Sequence, residues 1–146
     1  MNIRETSTPE TFSNRSNTAG KLPPLFLDIT AEDLLESVLK HSELIVWVID
    51  KKGKIVFSRG AGLRALDLTD NQVVDQNVFD LYRDFPDSLH SINRALAGEE
   101  HHDFAEVNGA SFHSWYCPIR DDTGQVVGMV GITTVITELA VTRRAL

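Results

Sequence analysis

The stretch Ile45–Phe57, IVWVIDKKGKIVF, decides the fold because two apolar runs flank the tetrad Asp50-Lys51-Lys52-Gly53. The runs are rich in β-branched residues, which favour strands, and the tetrad is typical of a tight turn. We therefore predict a hairpin with strands at Leu44–Ile49 and Lys54–Ser58. The first run does not alternate between apolar and polar residues, so we expect both of its faces to be buried.

A short helix is predicted before this hairpin. Thr30 precedes an acidic first turn and is a typical N-cap, so the helix should cover Ala31 to Lys40. Its apolar residues recur at helical spacing and form one stripe: Leu34, Leu35, Val38 and Leu39. Residues 1–24 are polar and end in two prolines, which predicts a flexible tail.

The next fifty residues are typical of helices. Short helices are predicted at Leu63–Leu68, at Asp70–Val74 behind a Thr69 cap, and near Val78–Tyr82. A longer helix should begin at Pro86, which suits the first helical position, and end at Gly98.

The last third of the chain is typical of strands. Asn108-Gly109 predicts a two-residue hairpin turn, which pairs Ala105 with Phe112, Phe104 with His113, and His102 with Trp115. One face of this hairpin then carries Ala105, Val107, Phe112, Ser114 and Tyr116, and the other carries His102, Phe104, His113, Trp115 and Cys117. A final strand is expected at Gln125–Thr134 and a helix from about Thr137. This order indicates an α+β fold with a five-stranded antiparallel sheet.

Composition excludes several classes of protein. The net charge of −7 argues against broad electrostatic binding to nucleic acid or to anionic membranes. No apolar run approaches the roughly 18–20 residues that a membrane helix needs. With Cys117 as the single cysteine, no intramolecular disulfide can form, so we expect a reducing compartment, the cytoplasm.

Five short motifs, in this order and spacing, resemble those of a PAS domain, a small sensory module of bacterial signalling proteins. They are Asp50-Lys51-Lys52-Gly53-Lys54-Ile55 in the first hairpin, Ala95-Leu96-Ala97-Gly98-Glu99 at the end of the long helix, Pro118-Ile119-Arg120-Asp121 and Gly124-Gln125-Val126-Val127-Gly128 in the last hairpin, and Ile136-Thr137-Glu138 at the exit. The chain departs from the family at Val135, where the exit motif usually has Asp, and at Arg59-Gly60, where Asn-Pro is frequent.

This resemblance implies a PAS-like α+β domain at residues 25–138, with helices over one sheet face, an N-terminal cap helix and a C-terminal exit helix. Residues 139–146 would begin a signalling helix. The implied role is a non-catalytic sensory and dimerisation module of a signal-transduction protein, such as a two-component system. Its implied partners are a second copy and a C-terminal effector: a kinase, a cyclic-dinucleotide enzyme or a DNA-binding domain.

Two sets of residues are candidates for the site. The pocket that the resemblance implies would be lined by Phe79, Leu89, Ile92, Leu96, Phe112, Ser114, Tyr116 and Met129, with Ser114 and Tyr116 as polar handles for a small apolar ligand. The outer sheet face carries the large apolar residues Phe104 and Trp115, with Trp47 as a further candidate, which the helix Ala31 to Lys40 or a second subunit would cover. The apolar stripe of that helix completes the candidate cap or dimer interface: Leu34, Leu35, Val38 and Leu39.

Alternatives to this sensory module remain open at the level of sequence. Haem-binding PAS domains offer a histidine from the long helix, which points to His90, although alignment on Ile92 and Arg94 puts Ser88 at that position. A small enzyme with its site in the same cavity is a second alternative, and a dimerisation module with a filled core is a third.

The other reactive residues do not indicate a site. Neighbouring strand residues point to opposite faces, so Ser114 does not meet His113, and His101 does not meet His102. We therefore expect no metal site, and we expect Cys117 to be a small buried apolar residue rather than a photosensor cysteine.

Overall fold

The computed structural model describes residues 29–136. The chain divides into two compact units, Met1–Leu34 and Leu35–Leu146. In the first unit, Thr30 caps the helix as predicted: its Oγ1 accepts from the Asp33 N–H at 3.0 Å, and Asp33 Oδ2 accepts from the Thr30 N–H at 3.1 Å. The predicted tail at residues 1–24 and signalling helix at 139–146 lie outside the described residues.

The described elements follow the predicted order. They are α1 (Ala31–His41), β1 (Leu44–Asp50), β2 (Ile55–Arg59), a 3₁₀ helix (Ala61–Leu66), α2 (Val78–Leu81), α3 (Pro86–Leu96), β3 (His101–Val107), β4 (Ala110–Arg120) and β5 (Val126–Ile136). None of these helices is long and apolar enough to cross a membrane.

The five strands form one antiparallel sheet in the order β2-β1-β5-β4-β3, so the α+β prediction is confirmed. β5 is the central strand and pairs with β1 on one side and with β4 on the other. The predicted register of the β3–β4 hairpin is also confirmed, with Ala105 opposite Phe112 and His102 opposite Trp115. Asn108 and Gly109 both have positive φ, which the two-residue turn requires.

The first hairpin closes around one carboxylate. Asp50 Oδ1 accepts from the backbone N–H groups of Lys52 and Lys54, each at 2.9 Å, and Gly53 supplies the positive φ that ends the turn. The expectation that both faces of Leu44–Ile49 are buried is only half right. Ile45 and Ile49 are buried on the inner face, but the residues between them are only partly covered.

The helical middle lies over the inner face of the sheet. The predicted helix at Asp70–Val74 is wrong, because this segment is a series of turns with positive φ at Asn71 and Asp75. Its backbone instead pairs with β2, where the Asp75 N–H donates to the Ile55 carbonyl at 2.8 Å. These bonds outweigh the local preference for helix.

The main core lies between this helical layer and the inner face. Its largest fully buried side chains are Ile49, Val78, Ile92 and Met129, one from each of β1, α2, α3 and β5. The core therefore joins the adjacent strands β1 and β5 to both helices.

Candidate functional site

A cavity of about 90 Å³, partly open to solvent, lies between the sheet and the helical layer. Every strand and every helical element of the inner layer contributes to its wall. Its lining residues are Ile45, Trp47, Ile55, Ser58, Leu63, Leu66, Leu68, Val73, Val78, Leu81, Tyr82, Ser88, Ile92, Ala105, Val107, Phe112, Ser114, Tyr116 and Thr133. The wall is thus mainly apolar with a few hydroxyl groups.

Of the eight residues that the sequence predicted for the pocket, four border this cavity and four do not. Ile92, Phe112, Ser114 and Tyr116 line the cavity. The other four pack into the core without reaching it: Phe79, Leu89, Leu96 and Met129. Helical periodicity shows which residues turn inward, but packing decides which of them border an empty space.

A row of three residues crosses the inner face at the cavity. Trp47 pairs with Gly131 in β5, and Gly131 pairs with Tyr116 in β4. A Cβ atom on Gly131 would lie 2.0 Å from the Trp47 ring, so the indole occupies the space that a side chain would need. The indole then meets the Tyr116 ring edge-on, with centroids 6.2 Å apart. The suggestion that Trp47 lies on the outer face is therefore wrong.

A hydroxyl group of β5 organises the polar part of the cavity wall. Thr133 Oγ1 accepts from Trp47 Nε1–H at 3.0 Å and lies 2.8 Å from Ser114 Oγ. Thr133 and Ser114 are both buried, so these bonds replace the water that the groups would otherwise contact. Thr133 was missed from the sequence, although it lies two residues from Gly131 and therefore on the same face.

Tyr116 is held by a second polar group beside the cavity. Its hydroxyl donates to Asp103 Oδ1 at 3.0 Å, and Ser91 Oγ donates to the other oxygen of that carboxylate. Burial, and then the nearby charge of Asp103, raise the pKa of Tyr116 well above its usual value. Tyr116 is therefore a neutral donor to Asp103, and its role as a polar handle for a ligand stays a prediction.

His101 lies against the same group. Its ring stacks on Tyr116 with centroids 4.9 Å apart, and Nε2–H donates to the Ser91 carbonyl at 2.8 Å. Within residues 29–136, its buried Nδ1 has no hydrogen-bond partner. Asp103 and His101 share the inner face with Ala105, so the alternation of β3 was the sequence signal for both.

His90, the haem candidate, is exposed on α3, whereas Ser88 and Ile92 on either side of it line the cavity. This fits the rotation of about 200° that separates helix positions two apart. The enzyme alternative finds no support in the geometry either, because Ser114 lies on the inner face and His113 pairs with Phe104 on the outer face.

The outer face carries what we call the outer cluster: His102, Phe104, His113 and Trp115. The His102 ring stacks on Trp115 at 4.4 Å and the His113 ring stacks on Phe104 at 4.5 Å, measured between centroids. Phe104 is 55% exposed and Trp115 is 40% exposed. Of the candidate interface residues on α1, Leu39 is buried, whereas Leu34, Leu35 and Val38 are exposed.

Burial and the charge of Glu100 raise the pKa of the Cys117 thiol above its usual value, so this half-buried side chain favours the neutral form. No group of three or more His, Cys, Asp or Glu side chains within residues 29–136 is arranged to hold a metal ion.

An antiparallel sheet whose own helices enclose a small cavity on one face defines a class of compact domains. The family model that matches residues 39–141 is described as PAS fold. Since this match covers more than half of the chain, the chain belongs to the PAS fold family. A comparison with curated proteins found no match.

Solved structures share this fold at low sequence identity. A PAS domain from Colwellia psychrerythraea has a TM-score of 0.55 at 18% identity, covering 75% of this chain and 99% of that one. The PAS domain of Bordetella pertussis BvgS has a TM-score of 0.51 at 18% identity, covering 78% and 92%. The Aer2 receptor of Vibrio cholerae, a dual PAS-heme oxygen sensor, has a TM-score of 0.50 at 20% identity, covering 64% and 95%.

Proposed function

We propose that this domain is a non-catalytic sensory module of a signal-transduction protein, which binds a small ligand in its internal cavity. The observation that carries the proposal is the cavity itself, because well-packed interiors leave few voids larger than a water molecule. Its apolar wall, with the hydroxyls of Ser114 and Thr133 on one side, suits a small apolar molecule with one polar group.

The size of the cavity limits the ligand. Drug-sized ligands occupy pockets of about 300–1,000 Å³, whereas an engineered cavity of about 150 Å³ binds benzene or xenon. A cavity of about 90 Å³ therefore suits a molecule no larger than benzene, unless the helical layer moves outward on binding. Haem is far larger than this space, and the exposed His90 offers it no ligand from the cavity wall.

We place the relay in β5. This strand contributes Thr133 to the cavity wall and leads directly into residues 137–146, so a ligand that shifts the wall would strain the exit of the domain. The ligand would signal only if it bound two packings of that exit with different affinity. The effector would be a kinase, a cyclic-dinucleotide enzyme or a DNA-binding domain of the same protein, in the cytoplasm. Direct binding to nucleic acid or membrane is not part of the proposal.

Xenon binding tests the cavity. Ala105 borders the cavity from β3, so Ala105→Val fills part of it, and Glu106→Val places the same side chain on the exposed outer face. We expect xenon to shift the amide NMR signals of Ala105 and Thr133 in the original protein and in the Glu106→Val control, but not in Ala105→Val. Equal shifts in both variants, or none in the original protein, would refute a bindable cavity.

Native mass spectrometry of the purified protein tests whether a natural ligand is retained. We expect the retained ligand to be a molecule no larger in volume than about benzene, given the cavity size, and to be lost in Ala105→Val. If xenon shifts the NMR signals but the protein retains no ligand from any expression host, the cavity is real and the sensory role is not supported. That outcome favours the dimerisation module.

We also propose that a second copy covers the outer cluster, because monomers rarely leave a large apolar patch in water. Sedimentation velocity should show a dimer whose affinity falls at least about tenfold in Trp115→Glu, a loss of about 1.4 kcal/mol. Val56→Glu is the matched control, because Val56 is 48% exposed on β2, at the opposite edge of the sheet. A dimer that Val56→Glu weakens and Trp115→Glu does not would place the interface elsewhere.

A further inference from the structure

We propose that His102 and His113 chelate a borderline transition-metal ion, Cu²⁺ or Zn²⁺, on the outer face of the sheet. The sequence led us to expect no metal site, because its spacing shows only that the two side chains share a face. The structure adds the distance between a ring nitrogen of His102 and one of His113, and the proposal depends on this short distance. It does not depend on the cavity or on the proposed sensory function.

The strand register brings the two rings together. His102 pairs with Trp115 and His113 pairs with Phe104, so the histidines occupy diagonal positions on adjacent antiparallel strands. His102 Nδ1 lies 3.0 Å from His113 Nε2. In the neutral pair one nitrogen donates its hydrogen and the other accepts it, so a single proton lies between two imidazoles. A metal ion bound by both nitrogens would displace that proton and lie to one side of the line between them.

The separation of the nitrogens matches the requirement of a chelate. Zinc–nitrogen bonds of about 2.05 Å at a tetrahedral angle of about 109° put two ligand nitrogens about 3.3 Å apart. Cu²⁺ in a square-planar site, with bonds of about 2.0 Å at about 90°, puts them about 2.8 Å apart. The observed 3.0 Å lies between these values. Each lone pair must turn toward the common ion, which the broad torsion of an imidazole ring permits.

Neighbouring aromatic rings hold the two ligands in place. His102 is stacked on Trp115 with an angle of 29° between the rings, and His113 is stacked on Phe104 at 17°. Because these stacks keep both rings on the outer face before the ion arrives, less χ1 freedom is lost on binding, and the remaining χ2 rotation turns each lone pair toward the ion. The two ligand planes are nearly perpendicular, at 84°, so the rings themselves do not clash around the ion.

The ligand set determines which ions fit. Imidazole suits Cu²⁺, Ni²⁺ and Zn²⁺, whereas Mg²⁺ and Ca²⁺ prefer oxygen ligands. Within residues 29–136, no third His, Cys, Asp or Glu side chain is grouped with this pair, so two imidazoles are the ligands that these residues supply. Among divalent ions of the first row Cu²⁺ binds such ligands most tightly, which makes it the best probe.

A bound ion would link β3 to β4 through their side chains, at the edge of the sheet. It would also add positive charge to the centre of the outer cluster. Any partner that docks on this face would therefore meet a different surface in the presence of the metal.

Titration of the full chain with Cu²⁺ tests the site, followed by isothermal calorimetry and by electron paramagnetic resonance. We expect one tight equivalent whose spectrum shows coupling to two imidazole nitrogens. His102→Gln and His113→Gln should each weaken this equivalent at least about tenfold, a loss of about 1.4 kcal/mol in binding. His90→Gln is the control, because it removes an exposed histidine of α3 and leaves the pair intact.

Circular dichroism checks that each variant is folded, and two independent substitutions guard against the failure of one. A Cu²⁺ equivalent that survives both His102→Gln and His113→Gln would overturn the proposal. So would a spectrum without imidazole coupling, or an equal loss of affinity in His90→Gln.

Discussion

Replacing Thr133 by valine is expected to lower the free energy of unfolding by about 2–4 kcal/mol. Valine has nearly the same shape as threonine but lacks the hydroxyl, so Trp47 Nε1–H loses its acceptor and Ser114 Oγ loses its partner. A buried polar group left without a partner costs about 1–3 kcal/mol. Two such groups sum to about 2–6 kcal/mol, and the partial exposure of Trp47 keeps the expected loss in the lower part of that range.

Urea unfolding followed by tryptophan fluorescence measures this loss. Thr134→Val is the matched control, because it removes the same hydroxyl one residue later, on the exposed face, and should change stability by less than about 0.5 kcal/mol. The double variant Ser114→Ala with Thr133→Val should be no less stable than Thr133→Val alone, since it removes one of the two stranded groups. If Thr133→Val is as mild as Thr134→Val, the hydroxyl pair does not stabilise the domain and our account of the cavity wall is wrong.

Two further predictions concern the backbone and pH. Gly60 has φ +137°, and a Cβ there would lie 2.0 Å from the Leu44 carbonyl oxygen, so Gly60→Ala should cost at least about 3 kcal/mol in a urea titration. Gly109→Ala, which meets no atom within 4 Å, should cost only about 1–2 kcal/mol; equal losses would contradict the steric argument. Because the folded pKa of Tyr116 is raised, its contribution to stability is complete below the ordinary tyrosine pKa of about 10 and falls as pH rises beyond it. Unfolding free energies measured from pH 8 to 11 should therefore fall more steeply for the original protein than for Tyr116→Phe, and parallel curves would contradict the raised pKa.

The sheet could be predicted from the sequence because its turn residues restrict how the strands can pair. Asn108-Gly109 permits one tight turn, and a slip of one residue would move Phe112 from the core to the outer face. The register of β3 and β4 therefore followed from two residues and the alternation around them.

The helical middle was less predictable because contacts distant in sequence decide it. Thr69 has the chemistry of an N-cap and does pair with Gln72, whose Oε1 accepts from the Thr69 N–H at 2.9 Å. No helix follows, because the turns at residues 70–76 bond to β2 instead: Asn71 Oδ1 accepts from the Ser58 N–H at 3.0 Å. Local patterns contain no information about that strand.

The candidate site was only half predictable for a similar reason. Strand parity identified Phe112, Ser114 and Tyr116. It gave no sign that Asp103 takes the Tyr116 hydroxyl, which depends on side chains meeting across two elements. The void itself has no signature in the sequence, because it consists of what the surrounding side chains leave empty.

The position of β5 in the middle of the sheet has a consequence for biosynthesis. Trp47 and Thr133 touch although they lie 86 residues apart, and β1 has its inner neighbour only when β5 arrives. During translation the ribosome delivers β1 long before β5, so the nascent chain carries an unsatisfied strand edge until β5 has been made. Pairing across such a separation also slows folding, because the loop must close before its contacts form. We therefore expect the yield of folded protein to depend on two factors. One is whether a chaperone covers the free edge of β1, and the other is how soon β5 is synthesised.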